Sequence, residues 1–285
     1  GGSPMDAAKG IALVASNGGT VHDYEGANRI QRPLPPMVFI PSTGGSGSDV
    51  SQFTIVNDVS RRVKMSIISR TLVPNISIID PTLLTTKSRS LIIAAAIDAM
   101  AHAVESYVSL LASPFTEIHS LKAIELIMTH LPVAAETRAI DALENLCIAS
   151  TSAGMAFSNA SLGMDHALAH SLGGMLDAVH GLIHPVLLPH VMRYNLPACR
   201  EKIAKIGEIV LGRRLGSDDE TALAGIEKMA EYFEDLHIST RLRDIVPDPS
   251  TLPRLCRMAS HDSCLLTNPR TAGWEDMLQL CKEAW

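Results

Sequence analysis

The run Asp165-His166-Ala167-Leu168-Ala169-His170-Ser171-Leu172-Gly173-Gly174-Met175-Leu176-Asp177-Ala178-Val179-His180-Gly181 constrains this chain more than any other stretch. It carries imidazoles at 166, 170 and 180, with His184 and His190 close behind, in a segment otherwise small and apolar. His166 and His170 are four residues apart and share one face of a helix. Gly173-Gly174 is expected to loosen that helix, and Gly181 beside His180 lets the chain turn a third imidazole back. Neutral imidazole is the commonest protein ligand for a borderline divalent metal, so the run reads as half of a metal site. The other half lies in the Ala-rich, helix-favouring run from Leu91 to Glu105, where Asp98 and His102 are again four apart among apolar neighbours. An unpaired carboxylate there would be costly, and a cation shared with His102 would relieve it. A lone D-x-x-x-H is usually a solvated helix edge. Two such pairs on separate apolar helices, with a histidine after a glycine break, favour the site.

These residues also carry a family resemblance. The stretch from Asp98 to Ser109, the His166/His170/His180 spacing, and Leu187-Leu188-Pro189-His190-Val191-Met192-Arg193-Tyr194-Asn195 resemble signatures of the iron-containing (group III) alcohol dehydrogenases. The resemblance runs over nearly the whole chain. It implies that Asp98, His102, His166 and His180 are the metal ligands and that His170 faces substrate and nicotinamide as a catalytic proton relay or an orienting group, the alternative being a packed structural histidine one helical turn from a ligand. It favours Fe²⁺, with Zn²⁺ as the alternative, since mixed N/O ligation suits both. His184 and His190 are not ligands by this resemblance and are assigned to structure. Asp165 is expected to cap its helix.

Composition narrows the class. The 285 residues are 46% hydrophobic and carry a net charge of −6, which suits a well-buried globular protein and argues against a nucleic-acid partner. Aromatic residues are only 4%, too few for base-stacking platforms. The most apolar run is interrupted by Asp98 and His102, so no membrane span is expected. Five cysteines, none in a C-x-x-C pair, suit reduced thiols in a cytoplasmic protein.

The chain opens with Gly1-Gly2-Ser3-Pro4-Met5-Asp6-Ala7-Ala8-Lys9. A glycine turn with Pro in the first helical turn is a weak anion-site signal by itself, because free N–H groups there can meet a phosphate. It resembles the family turn GGGS-x-x-D-x-A-K that holds a dinucleotide pyrophosphate, with the first glycine absent. That implies Gly1, Gly2, Ser3 and Asp6 as cofactor contacts and an N-terminally incomplete dinucleotide-binding domain. Met37-Val38-Phe39-Ile40 reads as a buried strand feeding Pro41-Ser42-Thr43-Gly44-Gly45-Ser46-Gly47-Ser48-Asp49-Val50-Ser51, a loop dense in N–H and O–H donors. The loop resembles the family's PTTxGTGSE. Cofactor contacts at Ser42, Thr43, Ser46, Ser51, Lys64 and Leu83 follow from the same resemblance.

Strands are expected at 37–40, 52–56 and 76–79. Helical segments are expected at 90–110, 115–131, 135–160, 164–173, 181–194, 200–211, 219–236, 250–260 and 274–284, with stops at Leu131-Pro132 and Leu196-Pro197. The expected fold is an α/β N-terminal remnant, the second half of a dinucleotide-binding domain over residues 1–82, followed by an all-α helical domain over residues 83–285. This is a dehydroquinate synthase-like, iron-dependent alcohol dehydrogenase architecture. The implied function is a metal- and NAD- or NADP-dependent alcohol dehydrogenase or carbonyl reductase, in which the metal lowers the pKa of an alcohol or polarises a carbonyl. A homodimer or larger homo-oligomer acting on a small alcohol or aldehyde is implied with it. Two alternatives stand at this point: a relative of different chemistry on the same scaffold, such as a glycerol dehydrogenase or maleylacetate reductase, and a truncated fragment that binds metal alone.

Overall fold

A computed structural model describes residues 1–61 and 63–285. Helix α1 (Gly2–Asn17) comes first, followed by β1 (Gly26–Ala27), β2 (Val38–Phe39), β3 (Phe53–Asp58), β4 (Val63–Ile68) and β5 (Ile76–Ser77). β3 and β4 form an antiparallel hairpin in the register Phe53↔Ile68 to Asp58↔Val63, and β1 joins β4 in parallel. β2 pairs with β5 in parallel, Val38 opposite Ile76. The expected strands at 37–40, 52–56 and 76–79 are present but shifted or shorter, and β4 was not anticipated. Its apolar positions Met65 and Ile67 alternate with Lys64, Ser66 and Ile68, a half-buried pattern that polar neighbours disguise.

Beyond the turn Pro81–Leu84 the chain is helical: α2 (Arg89–Val108), α3 (Pro114–Thr137), α4 (Ile140–Ala160), α5 (Met164–Leu176), α6 (His184–Leu211), α7 (Asp218–Asp235), α8 (Leu252–Ala259) and α9 (Trp274–Ala284). Three departures from the sequence reading have physical reasons. α3 runs through Pro132 to Thr137, because Leu131, Ala134 and Ala135 on both sides of the proline are buried in one core, offsetting the lost helical hydrogen bond. The two segments expected around Pro197 are joined as α6, with the break expressed as a kink at Cys199 (φ −144°, ψ 43°). α5 is not loosened by Gly173-Gly174; it ends at Asp177, whose φ of 53° is left-handed. A side chain at Gly173 would instead meet Lys64 Cε at 2.9 Å, so the glycine makes room for that lysine.

α2 sits at the centre. It is 20 residues long and apolar enough by composition to cross a membrane, yet 89% of its most apolar window is buried within the protein, as in the core helix of a bundle. Ser88 starts it by accepting from Leu91 N–H. Two loops press against its backbone at successive residues. A Cβ at Gly45 would lie 2.5 Å from the Ala95 carbonyl oxygen, and one at Gly181 would overlap that of Ala94. Only glycine lets the Ser42–Ser51 loop and the His180 turn reach the same helix. A first core surrounds α2, α3, α4, α7 and much of α6, and a second joins α5, α8, α9 and the start of α6.

The N-terminal region is held differently. Lys9 is fully buried on α1, and its Nζ donates to the carbonyls of Ser51 and Phe53 at 2.8 Å each. By contrast Val38, Ile40, Ile76 and Ile78, in and beside the β2/β5 pair, are each roughly half exposed (46–53%).

Candidate metal centre

Asp98 and His102 project from the middle of α2, His166 and His170 from α5, His180 from the turn that Gly181 presses on α2, and His184 from the first residue of α6. These elements converge on the Asp98 carboxylate. Its Oδ1 lies 3.7 Å from Nε2 of His102, of His166 and of His180, and 3.3 Å from Nε2 of His184. His166 and His184 are 1% and 0% exposed, and only His180 keeps appreciable side-chain exposure, 26%. The His102 ring stacks between Phe157 and His166, with centroids 4.4 and 4.5 Å away.

The hydrogen bonds of this cluster are conspicuously incomplete. Buried polar atoms of the described residues that lack a partner are Asp98 Oδ1, His102 Nδ1, Asp165 Oδ1, His166 Nε2, His180 Nδ1 and His184 Nε2. Buried polar groups in folded proteins are nearly always satisfied, so a collection of orphans at one point calls for an absent partner. Burial pushes His102 down to about 3 and His166 down to about 4, so both rings are neutral near pH 7 with a lone pair to give. Burial opposes charge on Asp98, but the surrounding imidazoles, His102 first, hold its carboxyl well below the usual range. An anionic oxygen facing neutral nitrogens is a donor set for a divalent cation. The residues therefore fit the metal that the sequence implied.

Further groups orient these donors. Glu105 accepts from the backbone N–H groups of Asp165 (2.7 Å) and His166 (3.3 Å), and its Oε2 lies 2.6 Å from His166 Nδ1. That contact places the proton on Nδ1 and leaves Nε2 bare towards Asp98. Glu105 stands seven residues after Asp98, two helical turns on, which was the signal available for it. Asp262, just before a 3₁₀ turn (Ser263–Thr267), lies 2.8 Å from His170 Nδ1 through Oδ2. Its own burial raises its carboxyl, but His170 outweighs that and holds it at about 2. Nothing in the sequence around position 262 indicated this partner.

One assignment needs correction, and one residue lies nearer the cluster than its sequence position suggested. Asp165 is not the helix cap, since Gly163 occupies that place; it is wholly buried, with Oδ2 2.5 Å from His184 Nδ1. His184, assigned to structure from the sequence, faces Asp98 more closely than the other three imidazoles do. Burial disfavours its charge, yet Asp165 outweighs burial and raises the imidazole to about 10. His190 does lie apart, half-buried beside Arg193 and Glu283.

The donors open into a cavity of roughly 290 Å³. Its lining also contains Gly2, Ser3, Asp6, Ser46, Ser51 and Lys64, together with His170. The opening turn and the Ser-rich loop touch: a Cβ at Gly2 would be 2.8 Å from Ser46 Cβ. Asp6 is engaged within the protein, accepting from Ser48 Oγ at 2.6 Å. Gly1, Ser42, Thr43 and Leu83 do not line the cavity. Gly1 lies against Thr43, which borders a separate small hollow beside Leu84, and Leu83 is 37% exposed on its turn. Cys264 does line the cavity, although cysteine spacing gave no hint of it. All five cysteines are free thiols.

Comparison with known proteins places this geometry. Residues 1–81 match the family model "Iron-containing alcohol dehydrogenase", and residues 92–285 match "Fe-containing alcohol dehydrogenase family, C-terminal". The chain is 36% identical to an NAD-dependent methanol dehydrogenase of Bacillus methanolicus and 38% identical to a 1,3-propanediol dehydrogenase of Citrobacter freundii. It aligns over its full length with 75% and 74% of theirs. Among solved structures it superposes on a 1,3-propanediol oxidoreductase with a TM-score of 0.96 at 37% identity. It also superposes on an alcohol dehydrogenase from Oenococcus oeni with a TM-score of 0.97 at 33% identity. In both cases all of this chain covers 75% of the other.

Proposed function

Because this chain belongs to the iron-containing alcohol dehydrogenase family, we propose that it is an oxidoreductase that interconverts a small alcohol and its carbonyl compound with a nicotinamide dinucleotide. The observation that carries this reading is the shared cavity. Orphaned Asp and His donors form one end, and hydroxyl- and glycine-rich loops form the other. When bound, a divalent cation at Asp98, His102, His166 and His180 would supply Lewis acidity, and the dinucleotide would supply or accept the hydride.

The chain's own residues have separable tasks. The free N–H groups at the start of α1, with Ser3 and Ser46, suit pyrophosphate oxygens. Lys9 fixes the Ser51–Phe53 backbone, so that loop is preorganised rather than ordered by the cofactor. Lys64, bordering the cavity beside Gly173, suits the nicotinamide ribose. His170 is anchored through Nδ1 by Asp262, which leaves Nε2 to take up or return the hydroxyl proton, or to orient the nicotinamide. Phe53, Phe157 and Leu162 line the cavity with apolar surface, limiting water around the reacting groups. A volume of roughly 290 Å³, shared with the cofactor's reactive end, suits a short alcohol. The methanol and 1,3-propanediol named for the two relatives are the first substrates to try. Iron is the metal supported by the family name, and NAD the dinucleotide supported by a relative's name.

The test is nucleotide-linked oxidation of 1,3-propanediol and methanol by protein prepared anaerobically with Fe²⁺. Turnover that is lost on chelation and restored by Fe²⁺ is expected. Binding of NAD and Fe²⁺ without turnover of any short primary alcohol, in either direction, would overturn the proposal.

A further inference from the structure

The Asp98 carboxylate has four imidazoles around it, one more than the sequence reading assigned. His184 does not line the cavity, but like His166 it turns a buried, unpartnered Nε2 towards Asp98. Its Nε2 is fully buried, lacks a hydrogen-bond partner, and lies 3.3 Å from Asp98 Oδ1. Its ring centroid is 4.5 Å from that of His166 and 4.8 Å from that of His180. One ligand atom each from Asp98, His166, His180 and His184 lies within 4.8 Å of all the others, a set that includes His184 and omits His102. Behind the ring, Asp165 Oδ2 is 2.5 Å from Nδ1. A carboxylate can only accept when ionised, so a ring proton sits on Nδ1 and Nε2 is the nitrogen turned to Asp98. Two buried acceptors 3.3 Å apart repel each other unless something positive lies beside both. A proton can do this in the metal-free protein, and a dication does it when bound.

We infer that His184, held by Asp165, is a fifth protein donor of the metal centre, beside Asp98, His102, His166 and His180. This rests on the metal reading above and deepens it. One carboxylate and four imidazoles would still leave room for a substrate oxygen on a six-coordinate ion. Five donors suit Fe²⁺, Co²⁺ or Mn²⁺, whereas Zn²⁺ is usually satisfied by four. The Asp165–His184 couple would thus bias the site towards iron through coordination number.

The experiment uses Co²⁺ as a spectroscopic probe in the full chain, with affinity measured by competition against a chelator. His184→Asn and Asp165→Asn are compared with wild type, and far-UV circular dichroism confirms that each is folded. Expected are a roughly 10–100-fold loss of Co²⁺ affinity in both variants and stronger visible absorption in His184→Asn, as one donor leaves a five- or six-coordinate ion. The Zn²⁺ affinity should fall less than that for Co²⁺. Unchanged cobalt spectra and affinity in a folded His184→Asn would overturn the inference, leaving His184 as a hydrogen-bond partner of Asp98 and the metal reading intact. Should His184→Asn fail to fold, Asp165→Asn decides on the same two readouts. Wild-type protein that takes up no cobalt would sink both readings together.

Discussion

The two ends of the cavity are built on opposite terms. At the helical end, the four candidate donors and His184, proposed as a fifth, come from α2, α5, α6 and a turn pressed on α2. Their supporting residues are buried, and both hydrophobic cores meet around them. At the nucleotide end, the scaffold is a hairpin, two strand pairs only two residues long, and loops tied together by Lys9, with an apolar face about half exposed. The first arrangement is over-determined, because its donors are fixed by packing and, for His166 and His184, by a carboxylate behind the ring. The second depends on a few polar ties. Metal affinity and global stability should therefore follow the helical end, and nucleotide affinity should follow the loops, with limited cross-talk.

The largest effect should come from Gly181→Ala. A methyl group there overlaps the Ala94 carbonyl, so the His180 turn must move off α2. The expected cost is about 3 kcal/mol from overpacking, with weakened metal binding, read by thermal unfolding and metal titration. Wild-type metal affinity in this variant would break the claim that α2 sets the position of His180.

Lys9 tests the other end. Burial lowers its amine to about 8, against 10.5 for an ordinary lysine. Between those values the unfolded chain holds a proton that the folded chain has released, so stability rises with pH across pH 8 to 10.5. The gain is up to about 3 kcal/mol. Below pH 8 both states are protonated and this contribution no longer changes. Lys9→Met should remove that slope in denaturant unfolding and raise the KM for nucleotide, while metal content stays at wild-type level. Loss of metal in Lys9→Met would show that the two ends are coupled after all.

Asp262→Asn should lower kcat by about 10-fold, because His170 loses its anchor, with little change in metal affinity. A fall in metal content instead would place His170 among the donors. The smallest effect is expected on the surface. Removing the Lys228–Glu231 pair by Lys228→Ala should cost less than about 1 kcal/mol and leave both ends unaltered, as measured by thermal unfolding.

The same contrast explains what could be read in advance. Asp98/His102 and His166/His170 were legible because an i, i+4 spacing within an apolar helix fixes a shared face. The change from strands to helices near Pro81 was legible from periodicity. The approach of His184 to Asp98 was not legible because it depends on where α6 begins relative to α5, which a turn of a few residues decides. Asp165 resembled a cap because carboxylates at helix starts usually are caps; only the tertiary fold turns it towards His184. Asp262 is 92 residues from His170, and no local pattern could join them. β4 was hidden by Lys64 and Ser66, which face the cavity and break the apolar run. Pro132 failed as a stop because tertiary burial outweighed local preference.

The central claim, that the helical end is a metal site in its own right, is tested most directly by elemental analysis. The protein would be purified anaerobically and exposed to Fe²⁺, with wild type and His166→Ala compared. One equivalent of iron in the wild type and essentially none in the folded variant is the predicted result. Wild-type protein that stays metal-free with both Fe²⁺ and Zn²⁺ supplied would contradict it, and the orphaned nitrogens around Asp98 would then need another partner.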